Sequence, residues 1–561
     1  MVKTNYKYYP MHMHLHASCD RGSSMALDMY IASKLGMNYI WFTDHDTRMG
    51  LTKNHITNFS FAHGLMKTDG KTCEGFEAIN EQSDLTVDTK EKTLTINSGA
   101  SDTEWTSSGV YFASNGKRHT FSLASDLEIA VDLKEFTPSD NTRLIFAVKL
   151  SQRPPEAREA YLLYTIGNTD DLEGAYNRII KLNQTSGRIT MNLSDDALYG
   201  DIGGKDNAFD TLYIVLQTKN GAKSCAKVSG FEINRSKICE DLRQSLQIEA
   251  DKAGEKYKVK PFVAYEISGA GEHKNCFSTK VPVIEYHNQN YSVSEAEAIE
   301  HTKKHGGIFA INHPFVTAYT KKLAKEIGVF SPEVMNSLLD HTYSELANSN
   351  ALGATLMEVG FPEGRVLPLE YYIRLWDMLA LEGIFLSGYG ASDSHTFDDG
   401  KGWYEGNNFA AYIGVDERHV YPISEEYFTD AMKKGRMYTA DPTKIKGRIC
   451  FETETGAQMG CVIVNKDSIN IKFKAESVKP GWTFKLVENG KTVDIVKIGE
   501  TEFEYKGKLS LNDNKVAFCR TEIYDEKGRC ILLTNPVYMV NHKFAEEHAE
   551  DIRFIERKCE I

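Results

Sequence analysis

Met11-His12-Met13-His14-Leu15-His16-Ala17-Ser18-Cys19-Asp20 is the stretch on which the reading of this chain turns. Side chains alternate across an extended strand, so His12, His14 and His16 are predicted on one face and Met11, Met13, Leu15 and Ala17 on the other. The apolar spacers predict that their own face is buried. Three imidazoles on one face serve little structural purpose and point to a metal-binding wall.

Working outward, Ser23-Ser24-Met25 caps a helix through Ala26–Leu35, which Gly36 ends. Tyr39-Ile40-Trp41-Phe42 then reads as a buried strand. Strand, helix, strand in so short a span is the βαβ pattern of a parallel sheet or barrel. Thr43-Asp44-His45-Asp46 follows the strand directly. The C-terminal ends of barrel strands are where reactive groups collect.

The pattern recurs far along the chain. Glu266 stands near the end of an expected strand Pro261–Ile267, and His273 follows seven residues later. Asn312-His313-Pro314 follows Gly307–Ile311, and Ser392-Asp393-Ser394-His395 follows Ile384–Gly388. Each cluster alone also fits an acidic cap or a loop histidine. Together they form a mixed nitrogen and oxygen set suited to Zn, Mn or Fe. Two or three ions need a bridging carboxylate, and Glu266 is the candidate. Glu358 ends another expected strand, Thr355–Val359, where it either orients a ligand histidine or is structural. No glycine-rich phosphate loop competes: Gly269-Ala270-Gly271 lacks the rest of a dinucleotide fingerprint.

Between these α/β segments, residues 70–235 are rich in Thr, Ser, Asn and Gly with short β-prone runs, which predicts an inserted β-sandwich. Trp105 and Tyr111 are candidates for a ligand platform there, with core packing as the alternative. Residues 446–541 read as a second, small β-sandwich and 542–561 as a helical tail. The 65 basic against 78 acidic residues give a net charge of −13, which argues against a duplex nucleic-acid partner. No apolar run reaches the length of a membrane span. The ten cysteines are scattered without a CxxC pair, which disfavours a cysteine-based zinc site. With no signal-like pattern in Met1–Pro10, a cytoplasmic location is expected.

His14-Leu15-His16-Ala17-Ser18, Phe42-Thr43-Asp44-His45-Asp46, Glu266 with Glu272-His273-Lys274-Asn275, Ile311-Asn312-His313-Pro314, Met357-Glu358-Val359 and Ser392-Asp393-Ser394-His395 occur in the order found in the PHP (polymerase and histidinol phosphatase) superfamily. Lys434-Gly435-Arg436-Met437-Tyr438-Thr439 resembles the stretch closing its catalytic domain. Within that superfamily the chain most resembles the CehA/McbA-like metallohydrolases. The resemblance implies a distorted (β/α)7 barrel from residues 1–65 and 240–445, with two or three divalent ions at its mouth. It implies that His14, His16 and Asp393 bind a first metal and that Glu266 bridges. His273 and His313 would complete a second metal, and Asp20, His45 and His395 would hold a third. A metal-activated water would be the nucleophile, with Asp44, His45, Glu266, Asp393 and His395 as the catalytic set. Arg48 is a candidate for gripping a substrate phosphate.

Two features depart from the family pattern. Three histidines alternate where one pair is usual, so His12/His14 and His14/His16 are alternative candidates for the primary pair, the following Ala17-Ser18 favouring the second. Asp20 also sits about one residue closer to that pair than is usual. The expected activity is hydrolysis of a small phosphorylated substrate. The alternatives are a carbamate, amide or ester substrate at the same site, or a glycan-binding or glycan-processing protein whose insert recognises carbohydrate.

Overall fold

The computed structural model describes residues 5–17, 23–50, 56–61, 65, 75–99, 103–113, 121–156, 158–197, 203–269, 272–285, 293–316, 318–360, 367–395, 409–464 and 466–559. Asp20, an expected metal ligand, lies outside them. Seven strand segments carry the polar ends singled out in the sequence. They are Tyr6–His12, Tyr39–Phe42, Lys260–Val263 with its continuation Tyr265–Ile267, Lys274–Phe277, Ile308–Ile311, Leu356–Gly360 and Ser387–Gly390.

These segments belong to two sheets. Lys260–Val263, Tyr39–Phe42 and Tyr6–His12 are parallel neighbours in a twelve-stranded sheet, which continues antiparallel onto Ala410–Asp416. Tyr265–Ile267 and the four later segments form a separate five-stranded sheet. The strand expected over Pro261–Ile267 therefore breaks at Ala264 and serves both. Its Ala264 and Glu266 N–H groups still donate to the Phe42 and Asp44 carbonyls, while its other edge pairs with Lys274–Phe277. At the opposite join, Leu15 bridges Ser394; His16 N–H donates to the Ser394 carbonyl at 3.0 Å and Asp393 N–H to the His14 carbonyl at 3.2 Å.

The expected closed barrel is thus not built by continuous strand ladders among the described residues. Isolated bridges, Leu15 to Ser394 and His45 to Glu266, link the sheets at the strand ends. At the site itself the backbone leaves strand geometry, with His313 and Asp393 at φ values of 26° and 49°. All seven segments nevertheless feed one buried cluster, through Met11 and Met13, Trp41, Phe262, Phe277, Ala310, Leu356 and Tyr389 among others. Each such side chain contributes about 1.5–3 kcal/mol on burial.

Helices connect the strands. Met25–Lys34 starts at Ser24, whose Oγ accepts the Leu27 N–H. Glu295–Lys304 opens with a reciprocal Ser294/Glu297 capping box. Leu369–Leu381 lays its apolar face, including Trp376 and Leu379, against the second sheet's core. No described helix is long and apolar enough to cross a membrane.

The insert is a pair of sheets, of seven and six strands, around a separate core that includes Ile129, Phe146, Leu162 and Ile214. It is entered earlier than residue 70, because Ile56–Phe59 already pairs with Lys223–Arg235. It docks on the first helix: Ser24 Oγ donates to the Gln152 carbonyl at 2.9 Å, and Asp206 Oδ2 accepts the Ala26 N–H at 3.3 Å.

The C-terminal β region is continuous with the twelve-stranded sheet, since Tyr438 and Thr439 pair with Thr534 and Leu533. A three-stranded sheet of Ile449–Thr453, Ser468–Glu476 and Glu502–Ser510 shares its core. Residues 542–559 hold two short helices, His542–Glu547 and Ile552–Arg557, and a strand, Lys558–Cys559, beside Val462–Val464. The buried Arg557 guanidinium donates to Ser387 Oγ at 2.6 Å.

Candidate metal centre

The strand Tyr6–His12 ends before the histidine run does, so His14 and His16 lie on the irregular segment that follows it. Their apolar spacers are buried as their pattern predicts, with Met11, Met13, Leu15 and Ala17 at most 1% exposed. His14 and His16 converge, with Nε2 atoms 3.1 Å apart. His12 Nε2 meets Ser392 Oγ at 3.0 Å. His12 joins none of the donor clusters described below. Burial, and then the neighbouring His14, push its imidazole down to about 3, so it stays neutral.

Glu266 is the centre of the arrangement. It is fully buried, and its carboxylate oxygens face five imidazoles. Oε1 lies 3.4 Å from His14 Nε2 and 3.5 Å from His313 Nε2. Oε2 lies 2.5 Å from His45 Nδ1, 3.2 Å from His273 Nδ1 and 3.8 Å from His16 Nε2. Asp393 closes the cage with Oδ1 3.1 Å from His16 Nε2 and 3.5 Å from His14 Nε2; its Oδ2 is 4.0 Å from His313 Nε2. The His395 ring stacks on His16 at 4.0 Å between centroids.

A ring of supporting groups fixes these side chains. Glu358, left open between two roles by the sequence, lies 2.5 Å from His14 Nδ1 through Oε1, and its Oε2 accepts the His313 N–H at 2.6 Å. A carboxylate on Nδ1 sets the tautomer and turns the Nε2 lone pair toward the cage. Asn312 Nδ2 donates to Glu266 Oε1 at 2.6 Å, and its Oδ1 accepts the Asn275 N–H at 3.0 Å. The Tyr389 hydroxyl lies 3.2 Å from Glu358 Oε1 and 3.3 Å from Asn312 Oδ1. Sequence reasoning missed these roles of Asn312 and Tyr389. Adjacency to His313 was a signal for the first; Tyr389, inside Ser387–Gly390, carried none.

Several predicted residues take other places. Asp44 joins none of the donor clusters; its Oδ1 accepts the Ala17 N–H at 2.5 Å and so holds the backbone beside His16. Asp46 accepts both the N–H and the hydroxyl of Ser268, tying the loop after Tyr39–Phe42 to the end of Tyr265–Ile267. Arg48 lies half-buried on the short helix Asp46–Gly50.

The donor set fits divalent ions. Three groups have ligand atoms all within 4.8 Å of one another: His14, His16 and Glu266; His45, Glu266 and His273; His16, His45 and His395. Glu266, His16 and His45 each belong to two groups, so the three positions abut. The buried Glu266 Oε2 has no hydrogen-bond partner although imidazole nitrogens crowd it. Burial alone would raise the Glu266 carboxyl, but His273, His45 and His14 hold it well below the usual range. Burial likewise opposes charge on His14, yet Glu358, Asp393 and Glu266 push it up to about 10. The cage therefore attracts positive charge at its centre.

No protein-family model and no curated protein matches this sequence. Among solved structures, a cellulase derived from Cel12A of Rhodothermus marinus is 12% identical over 27% of this chain and 85% of its own, with a TM-score of 0.21. A family 12 xyloglucanase from Bacillus licheniformis is 8% identical over 33% of this chain and 94% of its own, at 0.20. The Clostridium thermocellum CBM22-1–GH10 xylanase Xyn10B is 10% identical over 54% and 57%, at 0.18. Likeness at this level carries no argument about this chain's function.

Proposed function

We propose that this chain is a PHP-type metal-dependent hydrolase whose first substrate class is a small phosphate ester. The observation that carries the reading is the Glu266 carboxylate buried among five imidazoles, with Asp393 and three abutting donor groups around it. Divalent ions bound there would supply Lewis acidity and a water acidified toward neutral pH. The chain's own part is to hold that centre rigid. Glu358 fixes the His14 tautomer, and Asn312 fixes Glu266. The seven strand segments around one core are, on this reading, the distorted family barrel.

Exposure gives the direction of approach. His14 and His16 side chains are sealed, whereas those of His45, His395 and His273 are 17%, 18% and 29% exposed. Substrate therefore enters over His45, His273 and His395, and Arg48, three residues past His45, is the group assigned to its phosphate. Hydrolysis transfers the hydroxyl of water to phosphorus, breaks the ester P–O bond and returns a proton to the leaving oxygen.

The test uses full-length protein stripped with chelator and reloaded with Mn²⁺ or Zn²⁺. Substrates are an aryl phosphate, an aryl carbamate, an aryl ester and soluble polysaccharides. The expected outcome is turnover of the phosphate, at least one bound ion per chain by elemental analysis, and loss of both activity and metal in His313→Ala and Asp393→Ala. Full activity in both variants would sink the reading. Turnover of the carbamate or ester alone would keep the centre and reassign the substrate.

A further inference from the structure

The outer face of the insert's seven-stranded sheet carries three half-buried tyrosines, away from the metal-donor clusters. Alternation in the strands Thr106–Ala113, Ala208–Thr218 and Arg158–Gly167 sends Val110, Phe112, Leu212, Ile214 and Leu162 into the insert's core. The same alternation leaves Tyr111, Tyr213 and Tyr161 half-buried on the opposite face. Tyr111 and Tyr213 are directly opposite each other across two strands, with ring centroids 5.8 Å apart at 36°. On the far side, Tyr161 pairs with Lys149, and Lys149 Nζ lies 2.5 Å from Glu159 and 3.4 Å from Asp210. These rings therefore form a strip running across the strands.

The edges of the strip are polar. Tyr111 donates to Glu77, and Tyr161 donates to Glu159 at 3.2 Å. The Asp210 side chain is only 6% exposed, yet its Oδ1 has no hydrogen-bond partner. A buried carboxylate oxygen without a donor is costly unless a ligand or water supplies one. Trp105, a platform candidate from the sequence, is not available for stacking: the Arg143 guanidinium and the Lys219 ammonium lie over its ring at 3.8 and 4.5 Å.

We propose that this strip binds a neutral oligosaccharide, laid across the strands with sugar rings on Tyr111, Tyr213 and Tyr161 and hydroxyls donating to Asp210 and its neighbouring carboxylates. Half-exposed rings with fixed polar edges match the mixed apolar and hydroxylated faces of a pyranose. Three carboxylates against one ammonium disfavour a polyanion, so phosphorylated, sulfated and uronate chains and nucleic acids are expected to bind less well than a neutral chain.

The test is affinity electrophoresis of the full chain through gels containing hydroxyethylcellulose, galactomannan, laminarin, polygalacturonate or heparin, followed by calorimetry with oligomers of whichever retards it. The expected result is retardation by a neutral polymer and by neither anionic one, undiminished by chelator. Tyr213→Ala and Tyr161→Ala should weaken binding about tenfold or more, with aryl-phosphate turnover unchanged. Asp210→Asn, nearly isosteric, keeps the test valid if either tyrosine variant melts early; it too should weaken binding. Migration unaffected by every neutral polymer, retardation by the anionic ones, or full binding in the well-folded variants would overturn the proposal. Because the readout needs no metal, its failure is distinct from failure of the hydrolase reading.

Discussion

Two buried ionic clusters in this molecule are built on opposite logic. Behind the second sheet, Arg520 donates to both carboxylate oxygens of Asp377 at 2.8 and 2.7 Å and to Glu522, and Tyr524 donates to the other Glu522 oxygen. Each of the three charged side chains is at most 7% exposed, and each charge meets its opposite. At the strand ends, by contrast, Glu266, Asp393 and Glu358 face imidazoles whose unprotonated nitrogens are acceptors too. Acceptors converge on acceptors, and only protons or cations resolve the conflict. Burial alone does not mark a site; an unbalanced set of buried acceptors does.

The sharpest way to break the contrast is Glu266→Gln. Removing the shared carboxylate is expected to lower metal content and activity by about 10²-fold or more. Wild-type metal content and activity in the variant would break the contrast. Arg520→Met should do the reverse. It strands Asp377 and Glu522 without a counter-charge and should cost about 3–5 kcal/mol of stability, read by urea denaturation, with metal content unchanged.

Smaller effects sharpen the picture. Glu358→Gln keeps the shape beside His14 but weakens its hold, so metal affinity should fall about 10–100-fold in a competitive chelator titration. Metal uptake at pH 8 should release protons, since His14 is pushed up to about 10 and only neutral imidazole binds; an indicator-dye titration without proton release contradicts this. Last, the metal-free protein should depend on pH in both directions. The raised His14 contributes stability that is full below about pH 6.5 and lost as pH climbs toward about 10. The depressed Glu266 contributes stability present above about pH 4.3 and lost as pH falls through its lowered value. Denaturation midpoints should therefore peak between these limits.

Much of the centre was legible because its residues end apolar runs. His14, His16, His45, Glu266, His273, His313, Asp393 and His395 were all named from that pattern, and the structure brings them together. Strand alternation reaches only to His12, where the strand stops, and periodicity cannot say where a strand stops. Asp44, expected in the catalytic set, also holds the Ala17 N–H, a contact between residues 27 apart that no local pattern announces. The two-sheet arrangement was likewise invisible, since the break at Ala264 lies within an unbroken apolar run.

The contact between Leu15 and Ser394 also sets a timetable. The insert carries its own core and can fold as soon as it leaves the ribosome, while Tyr6–His12 waits for partners as distant as Ala410–Asp416. Contacts so far apart in sequence form late and slowly. The first histidines are made early, but the cage they belong to exists only once residue 395 is in place, so any ion held there could bind only after that point.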